Sequence, residues 1–317
     1  MTGLSTVRRA DPEARERCNQ SPLLPDRHPH CDFFVCGTLN AAPKDDIGSM
    51  EHPMFGLSTK PDRAIRRYEY NGNSVEIAPG AHGLATIWDK DILIYCTSQL
   101  VAAVNRGADH ISRTVRVTAH DLLVATNRGT DGRGYAQFRA ALDRLAGTRI
   151  TTDIRTNGQH VSEGFGLIDR WKIIEASPED KRMVAVEIVL SEWLYNAVCA
   201  REVLTISKDY FRLRKGLERR LYEIARKHCG RQRFWQMSLP KLYRKSGSSG
   251  SLKEFRRKVK AIIESDHIPE YKLVYDADAD LVRCYCRDGR GALQEARDAL
   301  AKASARGLLP DRPAANL

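Results

Sequence analysis

The sequence predicts an α+β chain that uses one small unit twice, and three observations predict it. Residues 114–174 read as strand, short helix, turn, longer helix, strand, hairpin signal and strand, from hydrophobic period and turn residues. Residues 235–287 repeat strand, short helix, flexible turn, helix and hairpin. The two longer helices, YAQFRAALDRL (135–145) and LKEFRRKVKAI (252–262), share Phe-Arg at the same place and the same apolar positions. VRVTAHDLL precedes the first as WQMSLPKLY precedes the second, and internal similarity of this kind bears on the whole architecture. This order is that of a winged helix, so the fold class is tandem winged-helix (winged helix-turn-helix) domains with a pseudo-two-fold internal duplication. At 317 residues the chain is long enough for two domains.

Residues 1–50 hold clustered Pro, Asp and Arg with one apolar run, CDFFVCGTL (31–39), and read as a flexible arm. A first domain follows over 51–190. It opens with a strand-like MFGLS (54–58) and RRYEYNGNSVEIAP, two short strands about Asn71-Gly72. A helix is expected over Ala85 to Arg106, with Thr86 and Asp89 as a capping-box variant and apolar residues on every side. TVRVT (114–118) alternates as a strand, His120 to Thr126 is a short helix, NRGTDGRG (127–134) a turn-rich loop and Tyr135 to Ala146 the second helix. RITTDIRT, an Asn157-Gly158 hairpin signal and GFGLIDRWKII follow, then the strand RMVAVEIVL.

The second domain spans 191–290. Ser191 caps EWLYNAV, and Ser207 caps a long helix, Lys208 to His228, that stops at Gly230. Its apolar stripe is Tyr210, Leu213, Leu217, Leu221 and Ile224, with Arg212, Lys215, Arg219, Arg226 and Lys227 facing elsewhere. Trp235 to Ser238 is strand-like, Leu239 to Lys245 a short helix, GSSGS a turn, and Leu252 to Glu264 a helix begun by the capping box Ser251-x-x-Glu254. YKLVY, DADAD and LVRCYCR form a hairpin. Residues 291–317 are an Ala-rich helical tail.

The chain carries 51 Lys and Arg against 40 Asp and Glu, a net of +11 that points to a polyanionic partner. Position matters more than the sum: Lys208 to Lys260 holds 18 basic and 4 acidic residues, a net of +14, and the remainder is nearly balanced. A weaker island, Arg106 to Arg155, has 9 Arg against 5 Asp and no Lys. No apolar run reaches the about 18 residues of a spanning helix, and no apolar segment follows the early charges, so no membrane association is expected and a cytoplasmic location is.

A helix fits the major groove of duplex DNA, where Gln and Arg pair with base edges and Ala admits close approach. On the first helix Gln137, Ala140, Ala141 and Arg144 are expected to face outward, with Arg133, Arg139 and Arg149 adding charge around them. On the second, Lys253, Arg256, Arg257 and Lys260 lie along one flank, preceded by Lys241, Arg244 and Lys245 on the short helix. Such a row repels itself unless a polyanion neutralises it. The candidate site is therefore these twelve side chains other than the alanines, with phosphate anchoring assigned to the second domain and base readout to the first.

Catalytic readings are weaker. No G-x-x-x-x-G-K-[ST] is present, which disfavours a P-loop ATPase. Asp276, Asp278 and Asp280 could align for a divalent metal in a primase or nuclease, but their place between two strands suits a turn. His28 and His30 have the spacing of rolling-circle nickases without the strand that holds those ligands. The eight cysteines are scattered; His28, His30, Cys31 and Cys36 are irregularly spaced for zinc, and Cys284 and Cys286 read as half-buried thiols. Neither a catalytic residue, a metal nor a cofactor is expected.

The long helix LRKGLERRLYEIARKH (213–228), the passage VEIVLSEWLY (186–195) and the tandem winged helices resemble the plasmid replication initiator protein A family across Met54 to Arg287. That resemblance implies two domains that bind repeated origin sequences (iterons) in double-stranded DNA, a first domain that also mediates dimerisation, and dimers that repress their own gene. It further implies origin opening and recruitment of the host initiator and replicative helicase. A winged-helix transcriptional repressor is the alternative, and an origin nickase or primase-like enzyme the second.

Overall fold

The computed structural model describes residues 22–29, 42–70, 73–107, 111–156, 159–175 and 183–305. The apolar run 31–39, His30, Cys31, Cys36 and both Asn-Gly turns lie outside them. In chain order the elements are β1 (Lys44–Asp46), α1 (Ile47–Glu51), β2 (Arg66–Tyr70), β3 (Asn73–Ala78), α2 (Lys90–Asn105), β4 (Thr114–Thr118), α3 (Ala119–Ala125), α4 (Gly132–Gly147), β5 (Arg149–Thr156), β6 (Gln159–Gly166), β7 (Ile168–Glu175) and β8 (Met183–Leu190). There follow α5 (Glu192–Cys199), β9 (Val203–Thr205), a 3-10 turn (Lys208–Arg212), α6 (Gly216–His228), β10 (Phe234–Ser238), α7 (Leu239–Ser246), α8 (Leu252–Ser265), β11 (Tyr271–Asp276), β12 (Leu281–Cys286) and α9 (Gly289–Ala305).

The chain divides into two units: Ile47–Pro53 with Arg220–Leu317 forms the second, and the rest the first. This is not the expected boundary at 190/191. Arg219 stays with the first unit because its guanidinium reaches Asp91 (2.6 Å) and the carbonyls of Phe211 and Leu213. Ile47–Pro53 joins the second because Arg220 donates to the carbonyls of Ser49, Met50 and Glu51. The expected single helix over 208–228 breaks before Gly216, where a Cβ would stand 2.4 Å from the Leu57 carbonyl oxygen.

In the first unit, β4, β8 and β7 form an antiparallel sheet in the order β4-β8-β7. Thr118 caps α3 by accepting from the Asp121 N–H, and Asp131 caps α4 by accepting from the Gly134 N–H. Phe138, Leu142 and Leu145 recur at helical period, bury completely, and join Leu122, Leu123, Val186 and Ile188 in the core. Each such side chain stabilises by about 1.5–3 kcal/mol.

A second sheet, β2-β3-β5-β6, has no counterpart among the described residues of the other unit. The expected strand GFGLIDRWKII is thus two strands in two sheets. The chain turns between them at Gly166-Leu167, where a Cβ on Gly166 would meet the Ile168 carbonyl oxygen at 3.0 Å, and Leu167 and Ile168 are both buried. The hairpin that closes the α3–α4 unit is therefore β7–β8, and the 149–166 hairpin belongs elsewhere. MFGLS forms no strand; Gly56 makes an isolated parallel bridge to Thr86. The Thr86 and Asp89 side chains do bond each other's N–H groups, one turn ahead of α2. Residues 22–29, expected to be free arm, are bound to the first unit through Arg212 and Asn127.

In the second unit the order β10-β12-β11 has the connectivity of β4-β8-β7, with α7 and α8 between the first and second strands as α3 and α4 are. Leu239, Leu242, Phe255, Val259, Ile262, Tyr271 and Val282 fill its core with Leu221, Tyr222 and Ile224 from α6.

Candidate nucleic-acid interface

Charge on the second unit is sorted by which side chains the core and its ion pairs consume. α7 buries Leu239 and Leu242, which turns Lys241 and Arg244 outward. It ends at Gly247 in the left-handed region (φ 71°), a position that favours glycine. Ser251 then caps α8 by accepting from the Glu254 N–H (3.2 Å). With Phe255, Val259 and Ile262 inward, Lys253, Arg257 and Lys260 stand exposed at i, i+4 and i+7, one above the other. Among the described residues Lys253 and Arg257 have no ion-pair partner, and the Lys260 ammonium lies over the Tyr275 ring at 4.9 Å.

Two residues of that set are committed elsewhere. Arg256 bonds Asp280 (3.1 Å) across the β11–β12 turn. Lys245, expected to face a partner, is half-buried and bonds Glu51 together with Lys227, while His228 Nε2 lies 3.4 Å away. Burial pushes the Glu51 carboxyl up, but His228, Lys227 and Lys245 outweigh it and hold it far below the usual carboxylate range. Arg220 lies beside this knot, donating to the Lys245 carbonyl and to Glu223 (3.0 Å).

On the first unit Arg133 and Gln137 are exposed on one face of α4. Arg139 is exposed beside Glu175 (3.3 Å). Ala140 is half-exposed, whereas Ala141, expected outward, is fully buried because it shares the stripe of Phe138 and Leu145. Arg144 lies on the face of Arg133 and Gln137, yet it makes two 2.7 Å bonds to Asp89. That bidentate pair raises its pKa and removes it from the set open to a partner. Arg149 is exposed on β5, in the four-stranded sheet, with its guanidinium 3.2 Å from the Gly164 carbonyl.

Sequence reasoning overlooked Asp89-Lys90-Asp91 as a set. All three are buried and each holds a different element: Asp89 the end of α4, Lys90 the Asp45 carboxylate of β1 (2.7 Å), and Asp91 both Arg219 and Arg128. Burial pushes the Asp91 carboxyl up against the pull of those two arginines. The available signal was three consecutive charges in a helix otherwise apolar on every side.

The aspartates of the β11–β12 turn lie beside cations of the same unit. Asp276 bonds Lys302 (2.7 Å) and lies near Arg283, Asp278 shares Lys302, and Asp280 takes Arg256 and the Tyr275 hydroxyl (2.6 Å). Among the described residues no group of three His, Cys, Asp or Glu is placed to hold a metal ion, and no helix is long and apolar enough to cross a membrane. Cys284 is buried and Cys286 half-buried, both as free thiols.

The model of a family described as Replication initiator protein A matches residues 44–273. A "Putative replication protein" of Wigglesworthia glossinidia brevipalpis is 41% identical over 253 residues, which cover 79% of this chain and 92% of that protein. A crystal structure of domains 2 and 3 of RctB is similar with a TM-score of 0.56 at 11% identity, over 76% of this chain and 98% of that one. A second structure of the same two domains has a TM-score of 0.50 at 14% identity, over 78% and 99%. At such identities the likeness is one of fold.

Proposed function

Because this chain belongs to the replication initiator protein A family, we propose that it starts replication by binding repeated sequences in double-stranded DNA at its own origin. In this reading each strand–helix–helix–hairpin unit is a winged helix, and α4 and α8 are the helices that enter the major groove. The observation that carries it is the row Lys253, Arg257 and Lys260: cations at helical period on an exposed face, on the helix that occupies the recognition position. Lys241 and Arg244 extend the row as phosphate anchors, while Arg133 and Gln137 supply base readout.

Opening of an adjacent AT-rich stretch, recruitment of the host initiator and helicase, a dimeric form and repression of its own gene complete the proposal. No catalytic step is assigned. What supports binding over nicking or priming is that Asp276 and Asp280 are occupied by Lys302 and Arg256. Footprinting of the purified protein on DNA flanking its gene is expected to protect several direct repeats. Protection of a single operator would instead identify an autonomous repressor.

A further inference from the structure

We propose that residues 22–29 form a further phosphate-binding element for duplex DNA, with Arg27 as its cation, held beside the start of α4. The proposal rests on the DNA-binding reading above and adds to it a contact outside the family match, which begins at residue 44.

The segment is anchored almost wholly through its backbone. Leu24 donates its N–H to the Arg212 carbonyl (2.8 Å), and Arg212 Nε donates back to the Leu24 carbonyl (2.9 Å). Asn127 grips from both ends of its amide: Oδ1 accepts from the Arg27 N–H (2.8 Å), and Nδ2 donates to the Pro25 carbonyl (3.1 Å). It does so from the left-handed region (φ 56°), which Asn tolerates better than most residues. The His28 ring donates through Nε2 to the Arg128 carbonyl (2.8 Å), and Asp26 Oδ1 accepts from the His28 N–H.

These bonds hold Arg27 in place without using its side chain. The side chain is exposed and has no ion-pair partner among the described residues. Its guanidinium lies 3.6 Å from where a Cβ on Gly129 would stand, over the loop that leads into α4, and the Asp131 carboxylate oxygen that caps α4 lies 3.2 Å from the same point. The first turn of α4 has no acidic residue and presents Arg133. Two arginines therefore flank the entry of the helix, on the loop Gly129-Thr130-Asp131-Gly132, whose one acid, Asp131, accepts from the Gly134 N–H as the cap of α4. A guanidinium carried on a pinned backbone loses less freedom on binding than one on a free arm. Phosphate is the anion such a fork suits.

The test is binding of the full-length protein to its footprinted duplex as a function of salt. Arg27→Ala should weaken binding roughly threefold to tenfold and lower the slope of log affinity on log salt by about one. Arg27→Lys should keep the slope. Asn127→Ala, which frees the segment, should weaken binding, and the double variant should lose no more than the worse single one. Unfolding of Arg27→Ala should match that of the parent. Wild-type affinity and slope in Arg27→Ala, with binding weakened by Arg133→Ala, would overturn the proposal and leave the segment a structural brace. If Arg27→Ala, Arg133→Ala and the Arg257→Ala/Lys260→Ala pair all leave the slope unchanged, the DNA-binding reading falls as well.

Discussion

Asp91 sits at the start of α2 with both oxygens committed, to Arg219 at 2.6 Å and to Arg128 at 3.3 Å. Removing one partner of a buried pair strands the other charge, which costs more than the pair itself contributes. Asp91→Ala should therefore lower stability by about 3–5 kcal/mol in urea unfolding. Glu51 gives a test with a pH sign. Its pKa is lowered from 4.5, so the stability it contributes is present above that value and declines as pH falls toward the lowered one. Glu51→Gln should be less stable than the parent at pH 7 and show a flatter loss between about pH 5 and 2, as urea midpoints across that range will show. A variant that tracks the parent at every pH would mean Lys227, Lys245 and His228 gain nothing from the carboxylate. Neither residue stood out in the sequence as part of a network, because its partners lie far along the chain: Arg219 is 128 positions from Asp91.

Helices and strands were more legible, since a cap and a period are local properties. Ser251 and Ser191 cap where expected, and Phe138, Leu142 and Leu145 of α4 and Phe255, Val259 and Ile262 of α8 are buried at helical period, with Ala141 buried among them against expectation. The failures share one cause. Strand signals in 149–175 name the pairing residues and not the partner, so the corner at Gly166-Leu167 was read as one strand. Likewise the long helix expected over 208–228 is a 3-10 turn followed by α6 from Gly216, and the backbone packed against Gly216 is that of Leu57, 159 positions away by the numbering. At this scale the row on α8 makes the most direct prediction. Arg257→Ala with Lys260→Ala should lower the salt slope of DNA binding by about two, at about 0.9 per phosphate, and affect all sequences alike. Loss of affinity for one sequence only would assign these side chains to base edges instead.

Across the whole molecule, the net charge of the 208–260 window overstates what a partner can meet. Arg219, Arg220, Lys227 and Lys245 are within it, and all four are engaged in ion pairs that hold the fold. Arg220 fastens Ile47–Pro53 to the second unit through three carbonyls. Arg220→Met should therefore speed amide hydrogen exchange in α1, α6 and α7 by tenfold or more for each about 1.4 kcal/mol lost, with little change in β4 and β8 of the other unit. Equal acceleration in both units would show that they open together. Most of the elements, the strand–helix–helix order of both units and the address of the excess charge are legible in the residues alone, because period, capping and composition are written in neighbouring positions. Which of those charges remain exposed is set by the fold, because burial and ion pairing depend on side chains brought together from distant positions.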